Sequence, residues 1–199
     1  MVGIRPWRKM KNTSKLVLGL VALMSVNGMA MATQQAYDDD MHGWMMPLMS
    51  DGQFMDAAIA GQNLEVKLGE LAQKNGSDTF TMAFGKMLAH DHIMALEDLD
   101  SVNHSTRSYG LTHERNRGFR QNLTMADQMT YDRLASMSGP AFDEAFRRQV
   151  MDDHKMHLQM FKMEAAHGTD MELRMYAARC IPVLKKHWMA LKDRMMPTM

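Results

Sequence analysis

No stretch of this chain alternates apolar and polar residues with the two-residue period of a strand, and that limits the fold more than any other feature. Helix-starting and helix-stopping residues instead divide it at regular intervals. Ser50-x2-Gln53 is a capping box that opens a helix at about Gln53, and Gly76 stops it. Ser77 or Asp78 caps a second helix reaching about Val102. After a loop from Asn103 to Gly110, Thr112 starts a third helix, which stops near Ser138-Gly139. Pro140 suits the first turn of a fourth, which reaches about Ala166. Gly168 breaks that helix, and Thr169-x2-Glu172 reads as a capping box for a fifth, to about Arg194. Short turns place successive helices antiparallel, so the expected fold is all-α: an up-and-down bundle of four to five long helices over residues 51–195.

An internal similarity supports this division. Phe80-x3-Phe84-x3-Leu88-x2-Asp91-His92-x-Met94 recurs as Phe142-x3-Phe146-x3-Val150-x2-Asp153-His154-x-Met156. The expectation is a duplicated helical hairpin, the first and second helices matching the third and fourth, with the fifth completing the bundle. The phenylalanines, Leu88 and Val150 are expected in the core.

The start of the chain has a different composition. Arg5, Arg8, Lys9, Lys11 and Lys15 precede an apolar run from Leu16 to Val26, then Ala30-Met31-Ala32. A basic start, a short apolar segment and small residues at a cleavage site read as a Sec-type signal peptide over residues 1–32. The run is about half the ~20 residues a membrane span needs, and no later segment qualifies. Export to the periplasm or beyond is the expectation, with cleavage after Ala32. That segment carries five of the 23 basic residues and none of the 23 acidic ones, so the remainder is net acidic, which argues against nucleic-acid binding. A single cysteine, Cys180, excludes an internal disulfide framework. Such a thiol is buried, metal-bound or available for pairing between chains.

Methionine is the outlier, with 26 in the whole chain. After residue 32 it equals leucine, valine and isoleucine together. As an unbranched, adaptable side chain it can fill helix faces; its thioether can also hold a soft metal ion. Residues 33–50 form a Met-rich lead-in with no helical period, carrying Met41, His42, Met45, Met46 and Met49. The fourth helix offers His154, Met156, His157, Met160 and Met163 as further donors; its three methionines share one helix face, which is also ordinary core spacing.

Phe54, Glu65-Val66-x-Leu68-Gly69, Phe84-x6-Asp91-His92, Ser138-Gly139-x2-Phe142-Asp143, Asp153-His154 and Pro182-x-Leu184-x2-His187, in this order and spacing, resemble the bacterial domain-of-unknown-function family numbered 4142. The resemblance covers about residues 52–191. It implies an exported, ferritin-like helical bundle and no established reaction. The Met-rich lead-in and the tail Met195-Met196-Pro197-Thr198-Met199 go beyond the family pattern. A di-iron site is not expected, because it wants Glu-x-x-His on two helices, and the residues three before His92 and His154 are Ala89 and Met151.

The candidate metal ligands are Glu65, His92, His154, His187 and Cys180, together with the lead-in cluster Met41, His42, Met45, Met46 and Met49. Counted along the helices from their turns, His92, His154 and Cys180 fall in one tier and Glu65 and His187 about 7 Å away in another, unless helix tilt merges them. Asp91 and Asp153 each point away from the histidine that follows and can pair with another helix. Two readings stand: polar core residues that satisfy one another and fix helix register, or a metal site. Imidazole with thioether and thiolate favours copper, whereas zinc prefers the His, Glu and Cys subset. No Gly-rich phosphate loop, nucleophile elbow or H-E-x-x-H pair is present, so no hydrolase chemistry is expected. The partner implied is a metal ion; no protein partner is legible.

Overall fold

In the computed structural model the described residues are 49–105 and 123–195. They form five helices and, among them, no strand: α1 (Asp51–Asn75), α2 (Thr79–Ser105), α3 (Met125–Ala135), α4 (Gly139–His167) and α5 (Met171–Met195). The caps explain most of these boundaries. Ser50 and Gln53 make the reciprocal capping box at the start of α1, and Gly76 closes the helix by donating its N–H to Ala72 O. Asp78 caps α2 by accepting from Thr81 N at 2.7 Å. Gly139, at φ +66°, supplies the left-handed entry to α4 ahead of Pro140.

Three expectations are corrected. The third helix is short: Thr124 caps it by accepting from Asp127 N, and it has 11 residues rather than a run from Thr112, which lies outside the described residues. The cap of α5 is Asp170, which accepts from Leu173 N at 2.9 Å. Thr169 is engaged elsewhere. The duplicated hairpins are also paired differently, with α1 packing along α2 and α4 along α5, while α3 docks across α1 and α4.

Two aspartates display the true duplication. Asp143, one turn into α4, accepts from Ser77 N at 3.0 Å, from Ser77 Oγ and from Asp78 N at 3.1 Å, clamping the α1–α2 turn. Asp51, in the first turn of α1, accepts from Thr169 N at 2.9 Å, from Thr169 Oγ1 and from Asp170 N at 2.9 Å, clamping the α4–α5 turn. Asp51-x2-Phe54 and Gly76-Ser77-Asp78 thus recur as Asp143-x2-Phe146 and Gly168-Thr169-Asp170, at a constant shift of 92 residues. Each hairpin grips the other's turn, so α1 and α5 run one way and α2 and α4 the other.

Between the clamps the bundle is layered. Towards the α1–α2 turn, Phe84 and Phe146 meet edge to face at 6.3 Å within a cluster that includes Leu68, Leu71, Leu88, Leu134, Phe142 and Val150. Phe80 is only partly buried against it. Towards the α4–α5 turn, Phe54 packs on Phe161 at 5.0 Å and on Tyr176. Gly69 and Gly85 bring α1 and α2 into backbone contact, where an added Cβ on Gly69 would lie 2.6 Å from Gly85 O. Methionine is divided between interior and surface: Met55 and Met160 are buried and Met87, Met137 and Met151 pack partly buried against the core, whereas Met125, Met129, Met156, Met171, Met175 and Met189 are exposed. Met156 therefore does not share the core face expected for it with Met160. Among the described residues, no helix is long and apolar enough to cross a membrane.

Candidate metal centre

Midway between the aromatic layers, three buried histidines meet. His92 on α2, His154 on α4 and His187 on α5 each bring one ring nitrogen to within 4.8 Å of the others. Glu65 on α1 joins them, its Oε1 3.4 Å from His154 Nδ1. Glu65, His154 and His187 are 0 % exposed and His92 2 %, so solvent does not reach the group.

The side-chain lean explains why the expected two tiers merge. Glu65 and His92 lie 11 and 16 residues from Gly76, and His154 and His187 lie 14 and 19 from Gly168. Each offset of five residues is about 7 Å along an axis. The Cα–Cβ bond tilts towards the helix N-terminus, so in each hairpin the residue nearer the turn leans away from it and its partner leans towards it. The gap closes from both sides. Cys180, 12 residues past Gly168, begins level with His154 but leans towards the turn and away from it. It is 2 % exposed and sits against Tyr176; burial pushes its thiol up to about 12, which leaves it protonated. The structure does not bring Cys180 into the histidine group. Met41, His42, Met45 and Met46 lie outside the described residues, and Met49, half-buried, immediately precedes the cap of α1.

The hydrogen bonds around the rings decide where their protons are. His154 Nδ1 donates to Val150 O at 2.9 Å, since a carbonyl can only accept. His187 Nε2 donates to Asp91 Oδ2 at 3.0 Å, so Asp91 does pair across helices as its position suggested. His92 Nδ1 donates to Gln62 Oε1, and Gln62 Nε2 in turn donates to Tyr176 Oη at 3.2 Å. All three N–H groups point outward. The remaining nitrogens, His154 Nε2, His187 Nδ1 and His92 Nε2, carry lone pairs. The first two face each other at 3.1 Å, and His92 Nε2 has no hydrogen-bond partner among the described residues. Both oxygens of Glu65 are likewise without one.

Burial makes this group uncharged. It holds the His154 and His187 imidazoles at about 4, in His187 against the opposing pull of Asp91. His92 is held well below its usual range by burial and by the neighbouring imidazoles, and Glu65 is pushed well above the usual carboxylate range by burial alone. Asp153 is raised to about 7 by burial and by Glu65, and accepts from Gln149 Nε2 at 3.0 Å; it stands beside the group, outside the set of donors.

The chain matches the family model for the domain of unknown function DUF4142 over residues 30–193. It belongs to that family. No curated protein and no solved structure matches the chain. For this DUF4142 member the constellation itself must therefore indicate the chemistry. Neutral imidazoles whose outer N–H groups bind a carboxylate, a backbone carbonyl and an amide oxygen have the outer support typical of histidine metal ligands. Three imidazole nitrogens lie within mutual reach, with the Glu65 carboxyl next to His154 Nδ1, and in tetrahedral coordination at ordinary bond lengths such nitrogens stand about 3.3 Å apart. The His154–His187 pair already has that spacing.

Gln62, Tyr176 and Val150 were not singled out as site residues from sequence, and His157 stood only among the donors of its own helix. One signal for them existed. Under the 92-residue shift, Gln62 and Glu65 correspond to His154 and His157, the same i, i+3 pair on equivalent helix faces.

Proposed function

We propose that this protein is an exported metal-binding helical bundle that holds a transition-metal ion on His92, His154, His187 and Glu65, and that it serves metal tolerance or buffering rather than catalysis. The carrying observation is the convergence of three imidazole lone pairs whose protons are all directed outward. Two lone pairs at 3.1 Å repel each other, and a cation between them converts the repulsion into coordination. Copper is the assigned ion. It stands at the top of the divalent affinity order, imidazole suits it, and the thioether-rich run from Met41 to Met49 offers soft donors for its reduced form. Zinc is the competitor, because the buried donors are nitrogen and oxygen without sulfur. Export rests on the basic start, the short apolar run and Ala30-Met31-Ala32. The enclosure of the donors supports storage over turnover, since a substrate has no open approach.

Titration of metal-free protein with Cu(I) under anaerobic conditions, and with Cu(II) and Zn(II), against a competing chelator tests the reading. One ion per chain is expected, with loss of that site in His92→Ala and His187→Ala. Binding no tighter than that of an unrelated helical protein would overturn it. The competing reading is a polar layer that only fixes helix register, favoured by the hydrogen bond each imidazole already makes outward. It predicts that His92→Gln lowers the melting temperature equally with and without metal.

A further inference from the structure

The donors are sealed, so an ion needs a route to them, and the walls differ. Along the axis, Phe84 stacks edge-on against His187 at 5.8 Å on one side, and the Phe54, Phe161 and Tyr176 layer closes the other. Between α1 and α2 the backbones touch at Gly69 and Gly85. Between α1 and α4 the seal is a side chain. His157, half-buried, lies over Gly61, where an added Cβ would come within 2.6 Å of its Nε2. Its ring centre is 6.3 Å from that of His154. This notch is also acidic: Asp127, in the first turn of α3, is near enough to act on the charge of both His157 and Asp153, and Glu65 acts on Asp153 from within.

We propose that His157 is the port of the buried centre, an imidazole that takes a divalent cation at the surface and passes it to His154 and Glu65, with Asp127 drawing the cation to the notch. This rests on the reading of the histidine group as a metal centre. Three features support the assignment together: a metal-capable ring spanning surface and interior, a glycine whose missing side chain lets that ring lie against α1, and the Asp127 carboxyl nearby. The role is kinetic. A port residue lowers the barrier to entry and exit alike and leaves the equilibrium affinity nearly unchanged.

The test is stopped-flow loading of the full metal-free chain with Cu(II), followed by quenching of tryptophan emission, with the equilibrium affinity measured separately by chelator competition. His157→Phe keeps the ring's bulk over Gly61 without a ligand atom. It is expected to slow loading and chelator-driven release about tenfold each, the effect of losing one weak contact at the barrier, with the affinity within about threefold of wild type. Asp127→Asn, on a different helix, is expected to slow loading alone by a few-fold, with the difference vanishing at high salt. Loading by His157→Phe within twofold of wild type would overturn the proposal. So would a fall in its affinity as large as that of His92→Ala, because His157 would then be a ligand. If wild type binds no copper, the metal-centre reading fails with it; binding with rates unmoved by either variant removes the port alone.

Discussion

Loading the histidine group with a divalent ion at pH 7 should release about one proton that the Glu65→Gln variant does not release. His154 and His187, held at about 4, are only ~0.1 % protonated at pH 7, so neither has a proton to lose. Burial holds His92 well below its usual range as well. Glu65 is the opposite case, since burial keeps its carboxyl protonated while no cation is near. Two positive charges at bonding distance reverse that preference, and the proton leaves. Asp153, at about 7, adds a fraction of a proton in wild type and a smaller one in Glu65→Gln, where one of the groups that raise it is gone. Isothermal titration with Cu(II) in buffers of different ionisation enthalpy measures the number directly. Affinity should rise with pH in wild type and level off in Glu65→Gln. A release of two or more protons in wild type would mean that the imidazoles are protonated beforehand, and the lone-pair assignment would be wrong. Equal release from both proteins would remove Glu65 from the donor set.

Gly69→Ala should destabilise the protein by about 2 kcal/mol in chemical denaturation, because the new Cβ meets backbone on α2, whereas Gly52→Ala, with open space around it, should gain a few tenths up to about 1 kcal/mol from helix propensity. Asp143→Ala removes the acceptor for three hydrogen bonds to the α1–α2 turn and should cost about 3 kcal/mol, read as a lowered denaturation midpoint at unchanged slope. For pH dependence, a histidine whose pKa is lowered on folding favours the native state above the unfolded value and loses that advantage as pH falls towards the folded one. His154, at about 4 against 6.5, therefore contributes on the order of 3 kcal/mol of acid sensitivity between pH 6.5 and 4, and metal-free His154→Gln should show a stability–pH curve flatter by that amount.

Much of the helix layout was legible because caps are local. Ser50, Gly76, Asp78 and Pro140 act within a turn of their own backbone, and each stands where its chemistry predicts. Hairpin pairing was misjudged for a tertiary reason. The shared Phe-x3-Phe and Asp-His pattern lies on α2 and α4, which start from the same end of the bundle, so it marks residues of equal height. Phe84 meets Phe146, and His92 meets His154 at 5.3 Å. That similarity records layers, whereas the 92-residue shift records the duplication. Of the five helical ligand candidates the three histidines meet, Glu65 lies beside His154, and Cys180 stays apart, because a count of residues from a turn ignores the direction in which each side chain leans. The start of the third helix was placed at Thr112, although Thr124-x2-Asp127 carries the acidic residue of a capping box where Thr112 has Arg115.

The order of the layers bears on why a group of this kind can persist inside a helical core. Three imidazoles and a carboxyl buried without full hydrogen bonding cost several kcal/mol against an apolar layer of equal volume. The outward N–H bonds to Val150, Asp91 and Gln62 recover part of that cost, but nothing among the described residues recovers the share of Glu65 or of His92 Nε2. The compensation is placed at the ends. Asp51 and Asp143 tie each hairpin to the turn of the other, and the aromatic layers pack inside those ties. The middle can then stay polar without the helices parting. An ion that binds only the folded state adds about 2.7 kcal/mol at a hundredfold excess over its dissociation constant, a stabilisation delivered to the layer that lacks it. Melting of the metal-free protein should therefore begin at the central layer, and hydrogen exchange checks this. Amides around His92 and His154 should exchange faster than those around Phe84 and Phe161, and added copper should slow the first pair more than the second. Uniform protection along α2 and α4, unchanged by the ion, would show that the central layer is an ordinary part of the core.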